Sequence, residues 1–385
     1  MLVGVPRETH PNERRVALTP GVLAALAKCG LSVVVEAGAG ELAGFRDAEY
    51  AEKGAKLGSR AEALAADIVV QVRSAGANLK AGASDLAAFR PGQSVVGLCD
   101  PLGEPKGIAD AAARGVNLFA LEMVPRITRA QSMDVLSSMA TVAGYRAVLI
   151  AAMTVPKMFP MMMTAAGTLA AAKVLILGAG VAGLQAIATA RRLGAVVQAY
   201  DVRAAVKEQI QSLGAKFVEL PLETGQAEDK GGYAKALGEE FYRKQRELLG
   251  DVVATSDVVI ATAAIPGVRS PLLVTREAVE RMPGGSVIVD LAAERGGNCE
   301  LTKADETVVY GGVTILGPTN LPSEVPHDAS LMFGKNAATL LAHIVKDGKV
   351  RLDADDEIIH ETLAAKGGEV VHPRIREKLG LAPRG

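Results

Sequence analysis

The sequence predicts an α/β protein with two doubly wound parallel sheets joined by a long helix. Short apolar runs rich in valine and isoleucine alternate with helical segments along the chain, which is the pattern of strands buried on both faces of a parallel sheet. Hydrophobic residues make up 49% of the sequence but aromatic residues only 3%, so the core must be built from aliphatic side chains. A chain of 385 residues is too long for one compact core, and its length therefore favours two domains.

The N-terminal portion of the chain is predicted to form the first of these sheets. Strands are predicted at residues 2–5, 31–38, 67–73, 94–100 and 116–122, and helices at 20–28, 47–54, 59–66, 84–89 and 104–114. This regular alternation indicates parallel strands connected by crossover helices. The turns between these strands and helices lack a glycine fingerprint, which distinguishes this portion of the chain from the next.

A long helix is predicted to join the two sheets. Residues 134–153 have helical periodicity with no break before Pro156. Near the end of the chain, residues 330–346 form an apolar-striped helix that is expected to return to the first sheet. The predicted domains are accordingly a discontinuous N-terminal domain of residues 1–133 and 328–385, and a second domain of residues 134–327.

The stretch around which the second sheet is organised spans residues 173–201. An apolar strand at 173–177 is followed by GAGVAG at 178–183, a helix at 184–193 and a second apolar strand at 195–200, which Asp201 closes. This is a βαβ unit with G-x-G-x-x-G at its first turn, the Rossmann-like arrangement that binds dinucleotides. An ordinary βαβ unit packed by small residues is the alternative. A dinucleotide site is favoured because strand, helix, second strand and terminal acid all fall where such a site needs them.

Each glycine of this turn has a separate predicted role. Gly178 permits a tight turn, Gly180 lets the backbone approach a pyrophosphate, and Gly183 lets the helix pack against the strand. The helix N-terminus then offers free N–H groups to the phosphates. Asp201 is placed to bind the adenosine ribose and favours NAD over NADP, because a carboxylate repels a 2′-phosphate. Arg203 softens that preference, since an arginine nearby can accommodate the phosphate.

The second sheet is predicted to contain a long polar insertion. Its remaining strands are predicted at 215–218, 257–262, 286–290 and 313–316. Between the first two of these lies the insertion, residues 223–248, which begins as a glycine-rich, charged loop and becomes an amphipathic helix. A loop this long in a compact domain is more often functional than incidental. Gly231 and Gly232 supply backbone freedom and Tyr233 an apolar body with a polar tip, which together suit a lid over a bound nucleotide.

Composition argues against several other classes of protein. A net charge of −1 without a basic run gives no indication of nucleic-acid binding. The three cysteines are scattered and lack C-x-x-C spacing, which favours reduced thiols in the cytosol, and no metal site is predicted.

No signal peptide is expected before Val3, which already lies in a predicted strand. Residues 149–172 carry a single charge, but Pro156 and Pro160 break a helix there, so a buried helix and connector are favoured over a membrane span.

Three stretches of the sequence together resemble a known family. RETHPNERRVALTP near the start and the GAGVAG unit ending in DVRAA are shared by alanine dehydrogenase and by the soluble NAD(H)-binding component of proton-translocating nicotinamide nucleotide transhydrogenase. The segment RITRAQSMDVLSS at 126–138 resembles the RQD loop of the transhydrogenase, and GGYAKALGEEF at 231–241 resembles its mobile loop. The resemblance covers nearly the whole chain and points to the transhydrogenase.

This resemblance implies the residues of a site. Those implied at the catalytic, nicotinamide end are Arg126, Gln131, Asp134 and Ser137, and those implied in cofactor binding are Gly178, Gly180, Val181, Gly183, Asp201, Val202, Arg203, Gly232, Tyr233, Gln245 and Ala264. By the same resemblance, Arg126 and Gln131 would position the nicotinamide and the phosphates, while Asp134 and Ser137 complete a polar network around the ring. The alternative for this cluster is a capping and salt-bridge network at the start of the long helix, with Asp134 as an N-terminal helix acid.

Two other functions are alternatives to transhydrogenation. An NAD-dependent alanine dehydrogenase needs a general acid/base near pH 7. Where alanine dehydrogenases carry a histidine, a lysine and an aspartate, this chain has Cys99, Arg73 and Glu294, although Arg15 matches. A non-catalytic NAD-sensing module would not require the organised polar loop at 126–137. Direct hydride transfer between two nicotinamide rings needs no such base, because the cofactors supply the chemistry, and it is the favoured interpretation.

The resemblance also implies partners. The sequence has no second dinucleotide fingerprint and is predicted to have no membrane span, so NADP(H) would bind a partner subunit and protons would move through a membrane-domain subunit. The implied enzyme is the Re/Si-specific, proton-translocating NAD(P)+ transhydrogenase, active only with those subunits. A homodimer is implied as well, with residues 149–172 as packing surface. It would be cytoplasmic and peripheral to the inner membrane through its partners, without direct membrane insertion.

Overall fold

The computed structural model describes residues 1–222, 238–264 and 267–383. Contacts within the chain divide it into two compact units. Unit 1 comprises Met1–Met139 and Pro322–Gly385, and unit 2 comprises Ala140–Leu321. Unit 1 is therefore built from two separate segments of the chain, whereas unit 2 is continuous.

Short strands and helices alternate through most of the described residues. The strands are β1 Leu2–Val5, β2 Ser32–Glu36, β3 Lys56–Gly58, β4 Ile68–Arg73, β5 Ser94–Leu98, β6 Asn117–Ala120, β7 Met162–Thr164, β8 Gly167–Leu169, β9 Lys173–Leu177, β10 Val196–Tyr200, β11 Lys216–Phe217, β12 Val258–Ala261, β13 Val287–Asp290, β14 Thr307–Tyr310, β15 Val313–Leu316, β16 Val345–Lys346, β17 Lys349–Val350, β18 Leu363–Lys366 and β19 Glu369–Val370. The α-helices are α1 Leu23–Lys28, α2 Asp47–Glu52, α3 Arg60–Leu64, α4 Ala83–Ala88, α5 Pro105–Ala113, α6 Val135–Thr154, α7 Val181–Arg192, α8 Lys207–Ser212, α9 Glu239–Val253, α10 Arg276–Glu280, α11 Pro326–Ile344, α12 Glu357–Thr362 and α13 Pro373–Lys378. Short 3-10 helices lie at Pro20–Val22, Glu41–Ala43, Ala75–Asn78, Leu121–Met123, Thr128–Met133, Ala204–Val206, Ala293–Arg295 and Leu321–Glu324.

Unit 1 is built on a sheet whose described strands follow the order β19-β18-β6-β5-β4-β1-β2-β3. Strands β1 to β6 run parallel, whereas β18 is antiparallel to both β6 and β19. Strands such as LVGV in β1 and IVVQVR in β4 are buried because they are rich in aliphatic residues, whereas the edge strand β3, KLG, is not buried. Helix α3 packs so closely on β1 that a Cβ at Gly4 would lie 1.8 Å from the carbonyl oxygen of Ala63. Glycine is therefore required at that point of the strand.

Unit 2 is built on a second sheet, with its described strands in the order β11-β10-β9-β12-β13-β15-β14. Its strands pair in parallel except β14, which is antiparallel to β15. The central strands β9, β12 and β13 contain the buried runs VLIL, VVIA and VIVD. The chain moves outward from β9 through β10 to β11 and then returns to the other side of β9 at β12. This reversal is the topological switch point at which α/β sheets bind ligands.

The predicted fold class is confirmed, since both units are α/β structures with parallel-dominated sheets and α6 is the predicted long helix. The helix after the glycine turn begins at Val181, three residues before its predicted start. The strands β3, β7, β8, β14 and β16 to β19 lie outside the predictions. Of these, KLG in β3, LAAK in β18 and EV in β19 do not stand out as apolar runs.

The prediction of a buried helix and connector at residues 149–172 is correct only in part, because Ala151, Val155, Phe159 and Ala172 are buried whereas residues 161–170 are exposed. Helix α6 ends at Thr154, and β7 and β8 then form an antiparallel hairpin whose residues are all exposed. Met163 is 77% exposed and Leu169 is 50% exposed. An apolar composition favours burial but does not tell which molecule buries the segment. No part of this chain that the structure describes covers the hairpin.

Helix α6 belongs to both units, with residues 135–139 in unit 1 and the remainder in unit 2. It is long and apolar enough to cross a membrane, with a mean hydropathy of 1.5 over its most apolar window, of which 39% is buried. Within the described ranges, no second helix meets the same limits. Core helices of soluble proteins meet them too, so length and composition alone are weak evidence of a membrane span.

Candidate functional site

The glycine turn lies between β9 and α7 in unit 2, at the carboxyl end of the central strand. Gly178 has φ +93°, a left-handed conformation that glycine adopts without strain. A Cβ at Gly183 would lie 1.9 Å from the carbonyl oxygen of Gly178, so the first turn of α7 can pack on the strand end only with glycine there. A Cβ at Gly180 would meet nothing within 4 Å among the described atoms. The backbone at Gly180 is therefore open to the approach of a neighbouring group.

Helix α7 begins directly after this turn. It begins at Val181, with Gly180 as its N-cap residue and no side chain capping it. The first N–H groups of a helix have no partner within the helix, and the helix dipole gives them a partial positive charge. Helix α6 packs directly against this end, since a Cβ at Gly144 would lie 2.1 Å from the carbonyl oxygen of Ala182. The start of α7 is thus held in place by α6.

Asp201 follows β10 and faces the glycine turn. Its Oδ2 accepts a hydrogen bond from the N–H of Ala179 at 2.7 Å. The guanidinium of Arg203 forms a bidentate ion pair with it, with Nε 2.9 Å from Oδ1 and Nη2 2.8 Å from Oδ2. The N–H of Arg203 donates to Oδ1 as well, at 2.8 Å. Both carboxylate oxygens therefore have partners within the protein. Val202, between the two residues, is half-buried.

Ala264 and Gln245, both implied in cofactor binding, lie in different surroundings in unit 2. Ala264 is exposed in the loop after β12, and this loop contacts the glycine turn because the hydroxyl of Thr262 donates to the carbonyl oxygen of Gly178 at 2.9 Å. Gln245 on α9 is 1% exposed, and its Nε2 donates to the hydroxyl of Tyr200 at 2.9 Å. Its Oε1 is buried without a hydrogen-bond partner in the described structure. Burial raises the pKa of Tyr200 to about 12, so this hydroxyl stays protonated.

The structure brings most of the residues implied in unit 2 to one edge of the sheet. The loops after β9, β10 and β12 lie side by side because these strands are neighbours. Gly232 and Tyr233 lie outside the described residues, and Gln245 is buried beside Tyr200. Across residues 1–222, 238–264 and 267–383, no group of three or more His, Cys, Asp or Glu side chains is placed to hold a metal ion.

The four residues implied at the nicotinamide end belong to unit 1. Asp134 directly precedes α6 and caps it, because its Oδ1 accepts the N–H of Ser137 at 2.9 Å and its Oδ2 accepts the hydroxyl of Ser137 at 2.5 Å. The contacts between Asp134 and Ser137 are therefore those expected of a helix cap. Gln131 lies in the 3-10 helix Thr128–Met133, and both Gln131 and Arg126 are exposed.

The same loop is anchored to the C-terminal segment of unit 1. Asn336, buried on α11, donates from Nδ2 to the carbonyl oxygen of Ser132 at 2.8 Å. The guanidinium of Arg129 lies 3.8 Å from a carboxylate oxygen of Asp356 and 4.0 Å from one of Glu357. Sequence reasoning missed these anchors, because the two partners of each contact are more than 200 residues apart along the chain.

Two carboxylates that sequence reasoning also missed lie at the carboxyl edge of the unit 1 sheet. Glu8 accepts the N–H of Val72 in β4 at 2.6 Å, and burial raises its pKa to about 8. Glu122 accepts the N–H of Cys99 after β5 at 2.6 Å, and burial raises its pKa to about 7. The one signal in the sequence was an acidic residue shortly after an apolar strand. Both carboxylates hold strand ends and both take up a proton near neutral pH.

The residues compared above with those of alanine dehydrogenases are largely engaged in other contacts. Arg15 and Glu13 form a buried bidentate pair, with Nε–Oε1 at 2.7 Å and Nη2–Oε2 at 2.6 Å, and Arg73 lies 3.3 Å from the same carboxylate. Burial raises the pKa of Glu13, but the charge and hydrogen bonds of Arg15 outweigh it and lower the pKa to about 2. Cys99 is fully buried, and burial raises the pKa of its thiol well above the usual range. Glu294 is exposed in unit 2.

Comparisons with known proteins identify relatives along the whole chain. Residues 4–143 match the N-terminal domain of alanine dehydrogenase/PNT, and residues 147–373 match the C-terminal domain. The chain is 45% identical over 380 residues to a Rhodospirillum rubrum protein named as the first portion of NAD(P) transhydrogenase subunit alpha, covering 97% of this chain and 99% of that protein. A transhydrogenase structure from Sinorhizobium meliloti matches with a TM-score of 0.84 at 44% identity, over 97% and 99% of the two chains. An L-alanine dehydrogenase structure matches with a TM-score of 0.83 at 25% identity, over 99% of each chain.

Proposed function

The chain belongs to the alanine dehydrogenase/PNT family, and from that premise we propose that it is the NAD(H)-binding component of a proton-translocating transhydrogenase. The observation that carries the proposal is the glycine turn of unit 2 with Asp201 at the next strand end, in a chain 45% identical to a transhydrogenase alpha subunit over nearly its full length. A hydride passes directly between NAD(H) bound here and NADP(H) bound to a partner subunit. This transfer is coupled to proton movement through a membrane partner.

In this proposal the residues of unit 2 bind the dinucleotide. The space beside Gly180 takes the pyrophosphate, and the first N–H groups of α7, beginning at Val181, donate to it. Asp201 accepts the hydroxyls of the adenosine ribose. Because both of its oxygens are occupied, ribose binding requires Arg203 to give up at least one of its hydrogen bonds. Ala264 lies exposed in the neighbouring loop and is proposed to contact the cofactor.

On its resemblance to the transhydrogenase loop, the segment at 126–137 is proposed to bind the nicotinamide end. When bound, the nicotinamide ring supplies the hydride chemistry itself, so the protein needs to orient it and exclude water. The exposed side chains of Gln131 and Arg126 are suited to bind the carboxamide and a phosphate. The hydrogen bonds between Asp134 and Ser137 fix the start of α6, and they thereby support the loop that carries Gln131. A capping role and a functional role are therefore compatible.

Alanine dehydrogenase is the second candidate, because Glu8 and Glu122 have pKa values near neutrality, as a general acid/base requires. Three observations weigh against it. Both carboxylates are engaged by backbone N–H groups at strand ends. Cys99 is a buried, neutral thiol where dehydrogenases carry a histidine. The identity to the dehydrogenase structure is 25%, against 44% to the transhydrogenase structure.

We further propose a homodimer that binds the NADP(H)-binding and membrane-domain subunits. The exposed hairpin of β7 and β8, with Met163 and Leu169, offers the apolar surface for a second copy. The assembly is cytoplasmic and peripheral to the inner membrane through its partners. We also propose that the chain forms two domains, residues 1–133 plus 328–385 and residues 134–327, whose boundaries lie near those of the two compact units.

A hydride-transfer assay with and without the NADP(H)-binding partner tests the function. We expect reduction of a spectroscopically distinct NAD analogue by NADPH only when the partner is present. Oxidation of alanine with NAD by this chain alone would instead establish the dehydrogenase. NADH binding without either activity would leave the NAD-sensing module as the function.

A further inference from the structure

Asn298 holds the loop after β12 through three hydrogen bonds of its side chain. It is fully buried in the segment between β13 and β14. Its Oδ1 accepts the N–H of Ala263 at 3.0 Å, while its Nδ2 donates to the carbonyl oxygen of Ala263 at 2.8 Å and to that of Pro271 at 2.8 Å. The amide therefore pairs with both backbone groups of one residue, as a neighbouring strand would. Asparagine can do this because its side chain carries a donor and an acceptor in one plane.

The backbone of Asn298 is itself fixed by a buried carboxylate. Its N–H donates to Oδ2 of Asp290 at 2.7 Å, and the same oxygen accepts the hydroxyl of Thr302 at 2.7 Å. Its carbonyl oxygen accepts the N–H groups of Leu273 and Val274 at 2.8 and 2.9 Å. The backbone of Asn298 is thus anchored to Asp290 and to the far end of the same connection, at Leu273 and Val274, independently of its side-chain bonds to Ala263.

The loop that Asn298 holds is in direct contact with the glycine turn. The hydroxyl of Thr262 donates to the carbonyl oxygen of Gly178 at 2.9 Å. A Cβ at Gly178 would lie 2.9 Å from that hydroxyl and 3.0 Å from the nitrogen of Ala263. The loop is consequently confined between the glycine turn on one side and the Asn298 amide on the other. A change in the Asn298 amide would leave the loop held on one side only.

We propose that Asn298 is a positioning residue for hydride transfer. It acts through Ala263, keeping the exposed Ala264 at a fixed distance from the glycine turn so that the nicotinamide half of the dinucleotide is held in a reactive orientation. This role rests on the proposed function. Because Asn298 is buried and does not itself reach the dinucleotide, its loss would alter orientation more than affinity. A displacement of about 1 Å in a transfer reaction can lower the rate on the order of a hundredfold.

The test compares Asn298→Ala and Asn298→Asp with Thr302→Val. Asn298→Asp keeps an acceptor for the N–H of Ala263 but loses the donor to the carbonyl oxygens of Ala263 and Pro271. Thr302→Val is the control, because it removes a hydrogen bond to Asp290 from the same buried network and leaves the Asn298 amide in place. With the partner present and both cofactors saturating, we expect transfer to fall at least about tenfold in the two Asn298 variants. NADH affinity, measured by calorimetry, is expected to change less than about fivefold. Thr302→Val is expected to stay within about twofold of wild type in both, although it lowers the melting temperature.

Amide hydrogen exchange at Ala263, measured on the full chain without partner or substrate, separates positioning from general destabilisation. We expect exchange to accelerate in the Asn298 variants and to stay unchanged in Thr302→Val. An equal loss of transfer in all three variants, or lost transfer with unchanged exchange at Ala263, would overturn the positioning role. Absence of transfer by the wild type would refute the proposed function instead, and the exchange measurement would still decide whether Asn298 holds the loop.

Discussion

Arg203 engages both oxygens of the Asp201 carboxylate, with Nε 2.9 Å from Oδ1 and Nη2 2.8 Å from Oδ2. The carboxylate that would bind a ribose is therefore neutralised by a cation two residues further along the chain. This pair bears on cofactor choice in two ways. The carboxylate repels a 2′-phosphate, and the arginine, once displaced, can attract one.

NADH is predicted to bind at least about tenfold more tightly than NADPH, roughly 1.4 kcal/mol. In Arg203→Gln the carboxylate keeps its charge and loses its cation, so we expect the preference for NADH to widen by about threefold or more. Calorimetric titration with each cofactor measures both quantities. Arg192→Gln, which removes an exposed cation at the far end of α7, is the control and should leave the ratio unchanged. Equal affinities of the wild type for NADH and NADPH would contradict a ribose-binding role for Asp201.

Gln131→Asn is predicted to slow hydride transfer while affecting affinity little. The substitution withdraws the amide by one methylene but keeps its chemistry, and transfer depends on two carbons held near van der Waals contact. We expect the rate with the partner present to fall by about one to two powers of ten. Affinity for NADH should change less than about fivefold, under about 1 kcal/mol, because the glycine turn and Asp201 supply most of it.

The control for this experiment is Gln211→Asn, an exposed glutamine on α8, which should match wild type. Loss of affinity with an intact transfer step at saturation would show that Gln131 only binds. A Gln131 variant indistinguishable from wild type in both measurements would leave helix capping as the role of the 126–137 loop.

Glu8 is predicted to make the stability of the fold depend on pH. Burial raises its pKa to about 8 in the folded chain, against an ordinary value of 4.5, so between these pH values the folded state keeps a proton that the unfolded state has released. Its contribution to stability is complete below pH 4.5 and is lost as the pH rises through 8. We expect the free energy of unfolding to fall more steeply in wild type than in Glu8→Gln between about pH 5.5 and about pH 8.5, by on the order of 2 kcal/mol.

Urea unfolding at the two pH values provides the comparison. Burial lowers the pKa of His372, so this histidine adds stability as the pH rises and opposes the trend. His372 and Glu122 are present both in wild type and in Glu8→Gln. The difference between the pH dependences of their free energies of unfolding therefore reports on Glu8 alone. Glu62→Gln serves as the control, because hydrogen bonds from Lys56 and Ser59 hold the pKa of this exposed carboxyl at about 2, outside the window. Parallel pH curves for wild type and Glu8→Gln would refute the prediction.

The hairpin of β7 and β8 is predicted to lie in a dimer interface. Met163 is 77% exposed. An aspartate at this position would lose its hydration when two copies of the chain associate, which would weaken the dimer. We expect Met163→Asp to weaken the dimer by about tenfold or more, or roughly 1.4 kcal/mol, in sedimentation equilibrium at micromolar concentration. Val309→Asp on β14, where the valine is 68% exposed, is the matched control and should remain dimeric. A wild-type monomer at that concentration would exclude the dimer.

The sequence was sufficient to predict the glycine turn because its determinants are local. Three glycines and an acid within 24 residues specify a turn, a helix start and a strand end, and short-range backbone geometry then places Asp201 against Ala179. The sequence also indicates that Arg203 lies near Asp201, because the two are only two residues apart. Whether the two side chains pair depends on rotamers, which the spacing of residues does not specify.

Contacts between distant segments could not be predicted in the same way. Asn298 meets Ala263 across 35 residues, and Asn336 meets Ser132 across 204. An isolated asparagine carries no pattern that identifies a distant backbone partner. The carboxylates Glu8 and Glu122 were missed for the same reason, since their pKa values depend on which strand ends fold over them.

The pairing of β18 with β6 imposes an order on events during synthesis. Strand β6 ends at Ala120 and β18 begins at Leu363, so the edge of β6 stays open until roughly 240 further residues have been added. Ribosomes add roughly 5–20 residues per second, and an open sheet edge is a template for pairing with other chains. Unit 2 emerges in full during this interval and can fold while unit 1 waits for its last strands. We therefore expect the open edge of β6 to favour aggregation of the nascent chain between the translation of β6 and that of β18.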